Sequence, residues 1–174
     1  HPIDPTALDD RLYRGVSLGL PRFVEKMTWK TFFKAFHRDP SGPLRGWNVR
    51  AVQNGVDGPW IPQRRGEAPR TFGHFRVVDG AGGDPRGSGR QGLLLDYGQG
   101  GNKPLDPVGR LRDPLVALHP GDVDLLLGWS YLAIAGRPVG TPSYFVLIRG
   151  QPLDHVAHPP IRPVGETLHQ VHTV

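Results

Sequence analysis

The sequence predicts a mainly β fold: an antiparallel up-and-down barrel or strongly curved sheet, preceded by one or two N-terminal helices. Three observations carry this. Apolar, β-rich runs at 92–97, 123–134 and 144–149 are separated by Gly, Pro and Asp turns, the pattern of a meander with one apolar face. Short turn signals between candidate strands favour pairing with the next strand in sequence. Near the N-terminus the apolar spacing is instead that of a helix. Closing such a sheet would remove exposed edges that otherwise recruit other chains.

Asp4-Pro5 followed by Leu8 and Leu12 predicts a short helix, with Asp4 as its cap and Pro5 in its first turn. Gly19-Leu20-Pro21 ends it. Pro21 opens a second helix that places Leu20, Phe23, Val24 and Met27 on one face. Trp29, Phe32, Phe33 and Phe36 keep helical spacing on the opposite side of that cylinder. Either this helix is buried all round, or it ends near Met27 and a strand covers 29–36; the longer helix is the preferred reading.

After a turn at 38–43, a strand is expected over 47–53, followed by the turn signals Asn54-Gly55 and Asp57-Gly58. Residues 58–70 form a Pro/Arg/Gly loop around Trp60, and 71–78 the next strand. The Gly-, Asp- and Ser-rich run 79–90 reads as an exposed hairpin loop. Then come a strand at 92–97, a polar loop at 98–107 and a strand at 110–118 bent by Pro114. His119-Pro120-Gly121-Asp122 turns the chain into a long strand at 123–134, and Ala135-Gly136-Arg137-Pro138 into a last one at 143–148. Residues 1–150 thus read as one domain and 151–174 as a Pro/His-rich tail. An NTF2-like α+β cone, helices first and curved sheet after, is the alternative. Both architectures enclose a pocket.

Composition narrows the function classes. A chain of 174 residues is long enough for a real core, burying about 70% of its unfolded surface. The net charge of +5 comes from scattered arginines, with lysine only at 26, 30, 34 and 103. A nucleic-acid site wants such charges on one face with aromatics interleaved, so no nucleic-acid partner is expected. The absence of cysteine excludes disulfides, zinc–thiolate sites and cysteine nucleophiles, and fits a reducing, cytoplasmic compartment. No run approaches the ~18 apolar residues of a membrane span. The sequence opens on His1, which is compatible with a signal peptide removed upstream.

The run Gly92-Leu-Leu-Leu-Asp96-Tyr97, then Val108 to Arg112-Asp113, then Gly121 to Leu127-Gly128, resembles part of the lipocalin-like families of bacterial proteins, and the 143–148 strand is similar to the last strand of such barrels. Their early Trp-x-Gly-Lys pattern is met here only by Trp29-Lys30-Thr31-Phe32, without its glycine. The resemblance implies a barrel with an interior ligand and carries over no catalytic residue.

Residues two apart in a strand share a face. On 71–78 this sets Phe72, His74 and Arg76 against Thr71, Gly73, Phe75 and Val77; the first set either lines a wet pocket or faces solvent. Asp96 and Tyr97 point to opposite sides, and an Arg facing Asp96, such as Arg112, would pair with it through guanidinium–carboxylate geometry. That pair either binds an anionic group or fixes strand register. Tyr131 and Tyr144 sit in the last strands, where a hydroxyl could orient a ligand or act as general acid. The expected function is binding of a small, largely apolar ligand among Trp47, Arg50, Phe75, Leu95, Arg112 and Trp129. The alternative is a cofactor-independent isomerase, cyclase or hydrolase using His74, Asp96 and Tyr144 in the same space. No cofactor or metal is expected. His155/His158 and His169/His172 have a metal-like spacing but lie in a Pro-rich tail, better read as docked or frayed. There is no H-E-x-x-H, and the glycine runs at 80–83 and 98–101 open no helix after a strand.

Overall fold

The computed structural model of the protein describes residues 1–18, 30–40, 42–80 and 92–161. β-branched and aromatic side chains enrich the strands β1 (Arg11–Leu18), β2 (Thr31–Arg38) and β3 (Leu44–Arg50). A small hairpin of β4 (Arg64–Arg65) and β5 (Ala68–Pro69) follows, then β6 (Thr71–Asp79), β7 (Leu93–Asp96), β8 (Leu111–Ala117), β9 (Leu125–Ile134) and the long β10 (Arg137–Pro152). The eight longer strands close into one barrel in the order β1-β2-β3-β6-β7-β8-β9-β10 and back to β1. Every neighbouring pair is antiparallel. The closed barrel, not an open curved sheet, is what forms.

The N-terminal helices are not supported. Asp4 does cap Pro5–Leu8, accepting from the Thr6 amide at 2.9 Å, but that turn is a single 3₁₀ turn. From Arg11 the chain is already a strand. Residues 31–36, assigned to the longer helix, lie in β2. The helical reading fails there because β2 is buried on both faces, so its apolar residues do not alternate with polar ones. The segment 19–29 that would begin the second helix lies outside the described residues, as does most of the 79–90 loop. Among the described residues there is no α-helix, and the cone alternative finds no support. None of their helices is long and apolar enough to cross a membrane.

The inside of the barrel is filled over one half only. Tyr13, Phe36, Leu95, Leu115, Leu126 and Leu147 pack there, and the N-terminal segment adds Ile3 and Leu8. That segment is held by the His1 amine donating to the Ala117 carbonyl at 2.7 Å and the Ala117 amide donating back at 3.0 Å. Each such fully buried side chain is worth about 1.5–3 kcal/mol. A second cluster lies outside the barrel wall: Phe33, Ala35, Trp47 and Val49, covered by Trp60, Leu153 and Ala157. Arg45 fastens this cover, donating to the Ala157 carbonyl at 2.8 Å while gripping both Asp39 oxygens at 2.7 and 3.0 Å.

Candidate functional site

The inward stripe of β2 reads Phe32, Lys34, Phe36, so a lysine stands among rings inside the barrel. Lys34 lies opposite Tyr13 on β1 and Asn48 on β3. The inward stripe of β8 is Leu111, Asp113, Leu115. That of β7 is Leu93 and Leu95, continued by Tyr97 at the start of a 3₁₀ turn. Three polar side chains therefore meet at one level. Lys34 Nζ donates to the Tyr97 hydroxyl at 2.7 Å and to Asp113 Oδ2 at 3.2 Å. The Tyr97 hydroxyl donates to Asp113 Oδ2 at 2.8 Å, and Asn48 Nδ2 donates to the same hydroxyl at 3.4 Å and to the Gly73 carbonyl at 3.1 Å.

All of this is away from water: Lys34 is 1% exposed and Asp113 3%. Burial pushes the Lys34 amine below the usual lysine range, against the pull of the Asp113 charge. Burial, with the Asp113 charge beside it, pushes the Tyr97 phenol well above its ordinary value, so it keeps its proton and donates it. The rings of Phe145, Phe75, Tyr97 and Phe32 stand 4.7, 5.0, 5.3 and 5.9 Å from Nζ and offset part of the desolvation of the ammonium. One atom is left over: Asp113 Oδ1 is buried with no hydrogen-bond partner.

Backbone close approach makes room for the cage. Phe32, Phe75 and Phe145 lie directly across from Gly15, Gly46 and Gly128 on the neighbouring strands. A Cβ on any of these glycines would come within 2.4, 2.4 and 2.1 Å of the facing ring. The rings fold over the bare backbone of the adjacent strand instead of blocking the lumen. A bulge in β6 completes the wall. Gly46 pairs with Phe75 but Asn48 with Phe72, so β6 carries one extra residue there, and Gly73 adopts φ +55°.

Beyond the cluster, towards the end that carries the β3–β6, β7–β8 and β9–β10 connections, the lumen opens into a pocket of about 310 Å³. Phe32, Phe72, Val108, Leu111, Leu132 and Phe145 form its walls, Lys34, Tyr97 and Asp113 its floor, and Ser17, Ser130, Thr141 and Ser143 scattered polar points. Such a space is at the small end of the ~300–1,000 Å³ typical of small-molecule sites. Among the described lining residues only Lys34 and Asp113 carry charge.

The residues singled out from sequence are scattered by the fold. Phe75 joins the cage, and Leu95 lies in the filled half below it. Trp47 is on the outer wall, 1% exposed, in the covered cluster. His74 is also on the outer face, because the bulge at Gly73 puts Phe72 on the same side as Phe75. It neither lines the pocket nor faces solvent, but sits 4% exposed beside Trp47. Burial, with Arg45 and His158 nearby, pushes its pKa down to about 4.

Asp96 and Arg112 do pair, at 3.0 Å and in register across β7 and β8, but on the outward side. Asp96 also accepts from the amides of Gly98 and Gln99 and caps the turn that aims Tyr97 inward. The Trp129 and Tyr131 rings lie 5.5 Å apart, tilted at 39°, on the outside of β9, next to Tyr144, which is opposite Trp129. Arg50 lies at the end of β3, over the Phe72 ring at 5.8 Å. Among the described residues no three His, Asp or Glu side chains are placed to hold a metal, and His169 and His172 lie outside them.

Lys34, Tyr97, Asp113 and Asn48 were the residues sequence reasoning did not select. For Lys34 and Asp113 the signal is an isolated polar residue on an otherwise apolar period-two stripe: Phe32-Lys34-Phe36 and Leu111-Asp113-Leu115. Comparison with protein-family models, curated proteins and solved structures gives no match to this chain.

Proposed function

We propose that the barrel binds a small, largely apolar molecule in the open half of its lumen, with the molecule's one polar end against the Lys34–Tyr97–Asp113 cluster. The observation that carries this is a largely apolar pocket whose lining includes Asp113, a carboxylate with one buried oxygen, Oδ1, that has no hydrogen-bond partner. A buried carboxylate oxygen without a donor costs about 1–3 kcal/mol or more, a cost that a ligand group would relieve. The lipocalin-like resemblance of residues 92–128 supports the same reading.

The second reading, an enzyme, draws on the same three groups: Asp113 as base, with Tyr97 and Lys34 to stabilise developing negative charge. It is favoured by the shifted Lys34 and Tyr97. It ranks second because Asp113 Oδ2 is already engaged by both neighbours. The test is native mass spectrometry of the full chain purified from its own host. A co-purified small apolar molecule, recovered unchanged after incubation with the protein, is the expected result. Its conversion to a product favours the enzyme, and an empty protein that also fails to take up apolar fluorophores contradicts both.

A further inference from the structure

We infer that the polar end of the ligand is an uncharged hydrogen-bond donor, a hydroxyl group, and that the site discriminates against carboxylates and amines of the same carbon skeleton. This rests on the proposed ligand-binding role of the pocket and specifies the chemistry that role requires.

Charge and hydrogen-bonding capacity at the floor both favour a neutral donor. Lys34 and Asp113 neutralise each other at 3.2 Å, and no other charged side chain lines the pocket among the described residues. A carboxylate brought to this floor would place a second negative charge beside Asp113 with no second cation. In a desolvated setting that repulsion is far stronger than in water. An ammonium meets the mirror-image problem at Lys34. A neutral group meets neither.

The remaining capacity is equally one-sided. The Tyr97 hydroxyl gives its proton to Asp113 Oδ2 and accepts from Lys34 and Asn48, so it has nothing left to offer. Lys34 directs protons to Tyr97 and Asp113, and the rest of its ammonium faces the rings of Phe145 and Phe75 at 4.7 and 5.0 Å. Within the Lys34–Tyr97–Asp113 cluster, Asp113 Oδ1, itself buried, is the one atom without a hydrogen-bond partner, and it is an acceptor. It calls for an O–H on the ligand. A carboxylate binding the other way round would point towards Arg50, two residues beyond Asn48 on β3 and over Phe72, towards the open end.

The probes are 1-octanol, octanoate, octylamine and octane, each titrated against an apolar fluorophore bound to the full chain near neutral pH. The expected result is that 1-octanol competes at least about tenfold better than octanoate and octylamine, and measurably better than octane. The double variant Lys34→Met/Asp113→Leu, whose floor is apolar and carries no stranded charge, should keep octane binding and lose the preference for the alcohol. Octanoate binding tightest, weakened by Arg50→Gln and not by the double variant, would overturn the inference while leaving the pocket a ligand site. Failure of all four probes, octane included, would sink the binding role itself.

Discussion

Lys34 is where the account is most exposed to mutation. Lys34→Met keeps the length of the side chain but strands the Asp113 charge among rings, and removing one partner of a buried pair costs about 3–5 kcal/mol. The double variant Lys34→Met/Asp113→Leu should recover most of that loss in urea unfolding. Destabilisation by the double variant that equals or exceeds the single would mean the pair is not coupled. His74 supplies a second test of residue chemistry. Its folded pKa of about 4 is below the ordinary histidine value, so below about pH 6.5 the unfolded chain takes up a proton that the folded chain refuses. This contribution is complete above about pH 6.5 and is lost as pH falls towards 4, on the order of 3 kcal/mol in all. His74→Leu should flatten that part of the stability–pH curve, measured as the difference from the parent protein. At this scale the sequence was legible for pairs and not for clusters. Arg112 facing Asp96 follows from the chemistry of one side chain and the register of two strands. Lys34 meeting Asp113 requires knowing that β2 and β8, 79 residues apart, project into one lumen.

Among the elements, strand order from β6 to β10 follows from the alternating runs and the turns between them, because each of those strands is a hairpin partner of the next. β2 was not legible in the same way. A strand buried inside by the barrel and outside by Trp60, Leu153 and Ala157 shows no alternation, and its Phe spacing fits a helix as well as a strand. The face assignment on β6 went astray for a different reason: one extra residue at Gly73 moves every side chain on one flank of the bulge to the other face. Gly73→Ala should cost more than about 1 kcal/mol. Its φ of +55° disfavours a side chain, and the new Cβ would stand 2.8 Å from Asn48 Nδ2. Gly128→Val tests the cage. The Phe145 ring, which now occupies the space over Gly128, must move off Lys34, and both thermal stability and fluorophore affinity should fall. Unchanged affinity would separate the cage from the pocket.

For the molecule as a whole, the barrel divides its interior into a filled half that supplies stability and an open half that supplies a site, with the charged cluster at the boundary. A closed barrel was one of two readings that the strands allowed, and how much of the lumen stays open was not legible, since that depends on three phenylalanines folding back over three glycines on other strands. The central claim is that the open half is occupied by ligand. It is tested most directly by filling it: Ser130→Leu/Ser143→Leu places two apolar side chains on inward positions of β9 and β10 without touching Lys34, Tyr97 or Asp113. In a titration with an apolar fluorophore, the account predicts a parent protein that binds one equivalent. The filled variant should bind at least about tenfold more weakly, with a melting temperature equal to or above the parent's. Equal binding by parent and filled variant, or none by the parent, would contradict it.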